Sequence, residues 1–168
     1  MSLSGKVNVL LNLTHTKALD LDTLQDIIAE TRGAAFTSGT GANQADIIFH
    51  DRRTLADNAN ETLNLYDSGS LLDAFGDAVA ITRIKALYIK NNSTDANLLV
   101  GAAGATPVDL FGAAANDILK IPPGGEFVLI VPSATGIVIS TNKNLKIAHD
   151  GTGVSNLTYD IIVLGASS

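Results

Sequence analysis

From Ala45 to the C-terminus the chain is a succession of short apolar runs, each closed by a cluster of turn-forming residues. The runs are Ile47–Phe49, Glu61–Tyr66, Val79–Lys90, Asn97–Val100, Ile118–Ile121, Glu126–Val131, Ile137–Ser140, Leu145–His149 and Leu157–Leu164. Segments this short, with turn signals between them, predict strands. A parallel sheet would need a crossover helix between successive strands, and no such spacing recurs. Pro107, Pro122, Pro123 and Pro132 all stand at the ends of apolar runs, where a missing backbone donor harms a ladder least. The pattern therefore predicts an all-β fold, an antiparallel sandwich of jelly-roll-like design. The stretch Ile81–Ile89 could also place Ile81, Ile84 and Tyr88 on one helical face, but its β-branched content and the turn that follows favour a strand.

Two linkers read as hairpin turns: Asn91-Asn-Ser-Thr-Asp-Ala-Asn97 and Pro122-Pro-Gly-Gly125. Nearer the N-terminus, Val7, Val9, Leu11 and Leu13 alternate with polar residues, which predicts a strand over Lys6–Thr14. Leu21, Leu24 and Ile28 fall on one helical face, with Asp22 and Gln25 as a capping pair and Gly33 as a stop, which predicts one short helix over 22–33. Ala34–Gln44, with Gly39 and Gly41 among small polar residues, reads as a flexible loop or arm. The Gly/Ala-rich stretches Gly101–Ala105 and Gly112–Ala115 read as surface loop. Neither an internal repeat nor a linker-like break in composition divides the chain, so residues 1–168 are expected to form a single β-sandwich domain, with 1–44 containing the N-terminal strand, short helix and flexible arm.

Composition narrows the function classes. With 46% hydrophobic and 17% charged residues the chain has enough material for a core, and that core is aliphatic because Trp is absent and aromatics make up 5%. The absence of Cys rules out disulfides and cysteine-based metal sites or nucleophiles. A net charge of -6 repels phosphate backbones, so nucleic acid is not an expected partner. No apolar run is long enough to span a bilayer as a helix and the first residues carry no export signal, so neither a membrane partner nor secretion is expected.

The residues that could carry chemistry do not form motifs. His15, His50 and His149 are far apart and lack a metal-binding spacing. His50 and Asp51 are adjacent, so on a strand they point to opposite faces and cannot act as a base and its orienter. Gly39-Thr-Gly41-Ala-Asn-Gln44 has the start of a phosphate cradle but Gln44 replaces its last glycine. Asp20, Asp22 and Asp26 lack the spacing of a calcium loop, and helix capping accounts for Asp22. Turn chemistry accounts for Asp95 and Asp150. Arg52 and Arg53, the one adjacent basic pair, read as a solvated edge or an intersubunit ion pair. The expectation is a non-enzymatic protein with no catalytic residues, no metal site and no cofactor.

The segments GTGANQADIIFHDRRTLADNANETLNL (39–65), LDAFG (72–76), IKALYIKNNST (84–94), Val100-Gly101, IPPGGEFVLIVPSATG (121–136) and TYDIIVLG (158–165), in that order, resemble small structural proteins encoded among the virion genes of tailed bacteriophages. Within that group the chain is similar to jelly-roll head decoration, or cement, proteins. The resemblance spans most of residues 39–165 and implies a virion protein, made in the host cytoplasm and carried in many copies on the capsid surface. It further implies a homo-oligomer that binds the major capsid protein. The alternative is a receptor- or carbohydrate-binding sandwich on a tail fibre, against which the lack of Trp counts, since sugar sites use aromatic platforms.

Overall fold

A computed structural model describes residues 2–67, 69–101, 103–111, 117–151 and 155–168. All regular structure among them is β. The strands are β1 (Ser4–Ala18), β2 (Thr23–Ser38), β3 (Gln44–Ala45), β4 (Ile47–Leu55), β5 (Asn60–Asn64), β6 (Arg83–Asn91), β7 (Leu98–Gly101), β8 (Ile118–Ile121), β9 (Glu126–Ile130), β10 (Ile137–Val138), β11 (Asn144–His149) and β12 (Leu157–Ala166). One sheet has the order β10-β6-β12-β4, with β9 also paired to β6, and a second has the order β5-β11-β7-β8. Every pairing within these two sheets is antiparallel. The first sheet buries Phe49, Leu87, Ile89, Tyr159, Ile161 and Val163, and the second buries Leu63, Leu98, Val100, Ile121, Leu145 and Ile147. All of these belong to one hydrophobic cluster, so the two sheets share a core built almost wholly from aliphatic side chains.

The two linkers predicted as hairpin turns are corners instead. Residues 91–97 lead from β6 in the first sheet to β7 in the second, and residues 122–125 lead from β8 in the second back to β9 in the first. Turn residues mark where a chain reverses but not which strand it joins next. Buried Asn91 organises both corners: its Nδ2 donates to the carbonyls of Ala96 (2.9 Å) and Ile121 (3.0 Å), and its Oδ1 accepts the Ser93 amide (2.9 Å). The ambiguous stretch 81–89 is strand β6 from Arg83 onward.

The predicted helix over 22–33 is absent. Residues 23–33 belong to β2, which pairs with β1 from Ser4↔Thr37 to Ala18↔Thr23 in a long antiparallel hairpin. Leu24 and Ile28 are four residues apart, a spacing that keeps two side chains on one face of either a helix or a strand. The helical reading had no tertiary partner to favour it, whereas β1 offers a complete ladder. Gly33, expected to stop a helix, sits within β2 opposite Asn8, where a Cβ would run into the Val7 carbonyl and the Asn8 side chain. Ala34–Gln44 is not a free arm: Ala34 and Phe36 are buried, and Gln44 opens β3 beside Thr37. Of the Gly/Ala-rich stretches, Gly112–Ala115 lies outside the described residues.

One charged side chain secures the hairpin to the body. Where β12 pairs with β6 the register slips between Leu164↔Ala86 and Gly165↔Ile84, which leaves Lys85 as the extra residue of a bulge. Lys85 is fully buried, and its Nζ donates to the carbonyls of Gly41 (3.2 Å), Ser133 (2.6 Å) and Ala134 (2.8 Å). Burial, with a smaller push from Arg83, holds its pKa below the ordinary lysine value. The three carbonyls use all three ammonium protons and join the loop after β2 to the loop after β9. Replacing Lys85 by Met keeps the volume and removes the donors, so unfolding free energy should fall by about 2 kcal/mol or more. Chemical denaturation measures this, and an unchanged midpoint would show that the bridge carries no stability.

Candidate functional site

The hairpin is the feature that the core does not explain. Its base is anchored where Val7, Ala34 and Phe36 pack with Ala45, Ala86 and Leu164 on the outer face of the first sheet. Beyond that base both strands leave the body. The Leu19 amide donates to the Asp22 carbonyl (2.7 Å), so Asp20 and Leu21 form a two-residue turn and Leu19 and Asp22 face each other as a hydrogen-bonded pair. Counting back in twos from Leu19, the odd-numbered residues of β1 bond to β2. Its even-numbered residues, including Asn8, Leu10 and Asn12, direct their N–H and C=O groups to the other edge. Strand β1 is terminal in its sheet, so that edge is unpaired among the described residues.

The side chains divide by the same parity. One face carries Val7, Val9, Leu11 and Leu13 from β1, and opposite them Ala34, Arg32, Glu30 and Ile28 from β2. Aliphatic residues thus line the free edge, while the Arg32–Glu30 ion pair (3.0 Å) lies on the β2 side. Leu11 is 44% exposed, Leu13 53%, Ile28 46% and Leu24 57%. Leu10 and Ile27, on the opposite face, are more exposed still, and Leu21 at the turn is fully so. An isolated two-stranded ribbon is at best marginally stable in water, and exposed apolar patches of this extent mark interaction surfaces.

Two grooves lie between β1 and the body. One, of about 530 Å³, is lined by Val7, Val9, Tyr88, Val128, Ile162 and Leu164. The other, of about 650 Å³, is bounded by residues 2–7 and floored by Ile48, Phe75, Val79, Ile162 and Leu164, with Asp46, Asp73 and Asp77 on its walls. No residue of β2 lines either groove, so both open beside β1.

The residues singled out from the sequence are dispersed. His15 lies on the hairpin and His50 on the exposed face of β4, while His149 is buried at the end of β11. The His149 Nδ1 accepts the Gly151 amide (2.9 Å), so the neutral ring donates from Nε2 to the Ser155 carbonyl (3.1 Å). Arg52 and Arg53 point to opposite faces of β4, and both are paired within the chain. Arg52 binds Asp160 (2.6 Å), whereas Arg53 bridges Asp51 (2.8 Å) and Glu61 (2.7 Å). The fully buried Tyr159 donates its hydroxyl to Glu61 (2.9 Å), and burial, together with the Glu61 charge, raises its pKa. The Gly39–Gln44 loop is filled from within, because the Gln44 Oε1 accepts the Gly41 amide (2.9 Å) where a phosphate would have to sit. Asp22 caps no helix; its carboxylate accepts the Thr23 amide (2.6 Å) beside the hairpin turn. Asp95 keeps to its turn with Ser93, and Asp150 ties to Asn97 across 53 residues of sequence. Among the described residues, no three His, Asp or Glu side chains come together as metal ligands.

Sequence reasoning missed the exposed aliphatics of β2 and the bridging role of Lys85. No local signal separates strand from helix for the former, since Leu24 and Ile28 fit both periods. Nothing local signals the latter, since a bulge is defined by the partner strand.

The Arg52 guanidinium holds the Asp160 carboxyl down at about 2, with Lys90 adding a smaller effect. An unfolded Asp titrates near about 3.9, so the pair contributes stability above that pH, and the contribution is lost as pH falls through about 2. Because Arg52 is 71% exposed, solvent screening keeps the gain small. Asp160→Asn should remove that gain at neutral pH and flatten the acid limb of a stability-pH curve; an acid limb identical to that of the wild type would refute the pairing. No protein-family model and no curated protein matches the chain.

Proposed function

We propose that this chain is a structural module of a tailed-phage particle, a decoration or cement protein that sits on the capsid surface and stabilises the shell by bridging its subunits. The observation that carries the reading is the β1–β2 hairpin, a ribbon with aliphatic side chains on both faces that projects from a self-sufficient body. An element of that kind gains stability only when a neighbour covers it. The resemblance of residues 39–165 to virion proteins supplies the kind of assembly, and the major capsid protein is the partner in this reading.

The body supports a jelly-roll reading through its strand order. From β4 to β7 successive strands alternate between sheets, β7 and β8 are neighbours in one sheet, and β4, β12, β6 and β9 lie side by side in one sheet and β5, β11, β7 and β8 in the other. First and last body strands are therefore neighbours, as two interleaved Greek keys require, and this architecture recurs in capsid and lectin domains. β10 is a short addition to the first sheet.

Purified protein added to phage heads lacking their decoration should bind saturably, at a fixed ratio to the capsid protein, and raise the melting temperature of the shell. The double variant Leu24→Asp, Ile28→Asp should weaken that binding by at least about tenfold while the body stays folded. Failure to bind heads, accompanied by glycan-dependent binding to host cells, would point instead to the tail-fibre alternative.

A further inference from the structure

We infer that the hairpin's partner is the hairpin of a second copy of this chain, joined through the free edge of β1 in a two-fold, antiparallel β1–β1 pairing. This rests on the reading of the hairpin as an assembly element, though not on the identity of the larger particle.

The two edges of the ribbon differ in the way that decides which can be extended. Natural edge strands are guarded by charge, proline or brevity. β2 carries Asp26, Glu30 and Arg32 along its length, whereas β1 is 15 residues long, contains no proline, and has no charged residue from Val7 to Thr14. Its even-numbered residues already aim their backbone groups outward, ready to exchange hydrogen bonds with another strand.

A two-fold axis at Leu11, the midpoint of β1, lets the whole strand pair with its copy. Leu11 then faces its counterpart, Val9 faces Leu13, and Leu10 faces Asn12. No like charges meet across the new seam. The aliphatic stripe along each free edge doubles into one continuous patch, with the Arg32–Glu30 pairs on its two outer sides.

The same register explains the larger groove beside β1. The second hairpin's tip would run alongside residues 2–7 and over that groove, its Leu13, His15 and Lys17 turned toward the floor. Leu13 comes level with Val9, next to Ile162, and Lys17 comes level with Gly5, beside the acidic wall of Asp46, Asp73 and Asp77. Apolar surface thus meets apolar surface, and a cation meets a carboxylate cluster, at both ends of one symmetric contact.

Sedimentation of the full-length protein tests this. The wild type should run at twice the 17.4 kDa chain mass at micromolar concentration. Asn12→Pro removes an outward donor and leaves the bonds to β2 in place, so it should yield a folded monomer with the dissociation constant raised at least about a hundredfold. Lys17→Glu should weaken the dimer less, in a salt-dependent manner. A monomeric wild type, a trimer, or an Asn12→Pro dimer of wild-type affinity would overturn the pairing. A circular-dichroism spectrum of Asn12→Pro matching that of the wild type excludes misfolding; if it differs, Leu11→Lys, which sets two ammonium groups face to face at the axis, takes its place under the same criteria. Head binding by an obligate monomer would sink this inference and leave the decoration reading standing, while a stable dimer that ignores heads would do the reverse.

Discussion

A backbone edge fifteen residues long, bordered by aliphatic side chains and held clear of the body, is the constraint on which the proposed function turns. Every peptide group on that edge needs a partner, in water or in protein, and each neighbouring Val or Leu gains by leaving water. The body answers neither demand beyond Val9. The hairpin is therefore intelligible as one half of an interface, and the sandwich as the rigid support that presents it.

The support is built to hold the hairpin at a fixed angle. Lys85, displaced from the regular ladder by a bulge, joins the loop after β2 to the loop after β9. Val7, Ala34 and Phe36 fill the space above Ala86 and Leu164. A buried ammonium is costly unless its protons are all used, and here three carbonyls use them. The result fixes the direction of the ribbon while its far end is left exposed. At the opposite end of the sheet, Asp160 and Arg52 balance their charges on the outer face.

Much of the body was legible in the sequence, because alternating burial in strands such as Leu145–His149 and Leu157–Leu164 is imposed by the core itself. The corners at 91–97 and 122–125 were visible as turns, but their destinations were not. Strand partners depend on contacts between residues far apart in the chain, as the pairing of β12 with both β4 and β6 shows. The candidate site was less legible. β1 was recognised in part, over Lys6–Thr14, but β2 was read as a helix since Leu24 and Ile28 satisfy both periods and no core contact selects between them. Amphipathic patterning reports burial, and the far end of the ribbon is not buried within its own chain.

The most direct test is amide hydrogen exchange along β1 at high and low protein concentration. At high concentration the even-numbered amides of Asn8, Leu10 and Asn12 should be protected along with the odd-numbered amides of Val9, Leu11 and Leu13 that bond to β2, and on dilution the even set alone should lose protection first. Even-numbered amides that exchange freely at every concentration, beside protected odd-numbered neighbours, would mean that the edge of β1 meets no second strand, and would contradict the account.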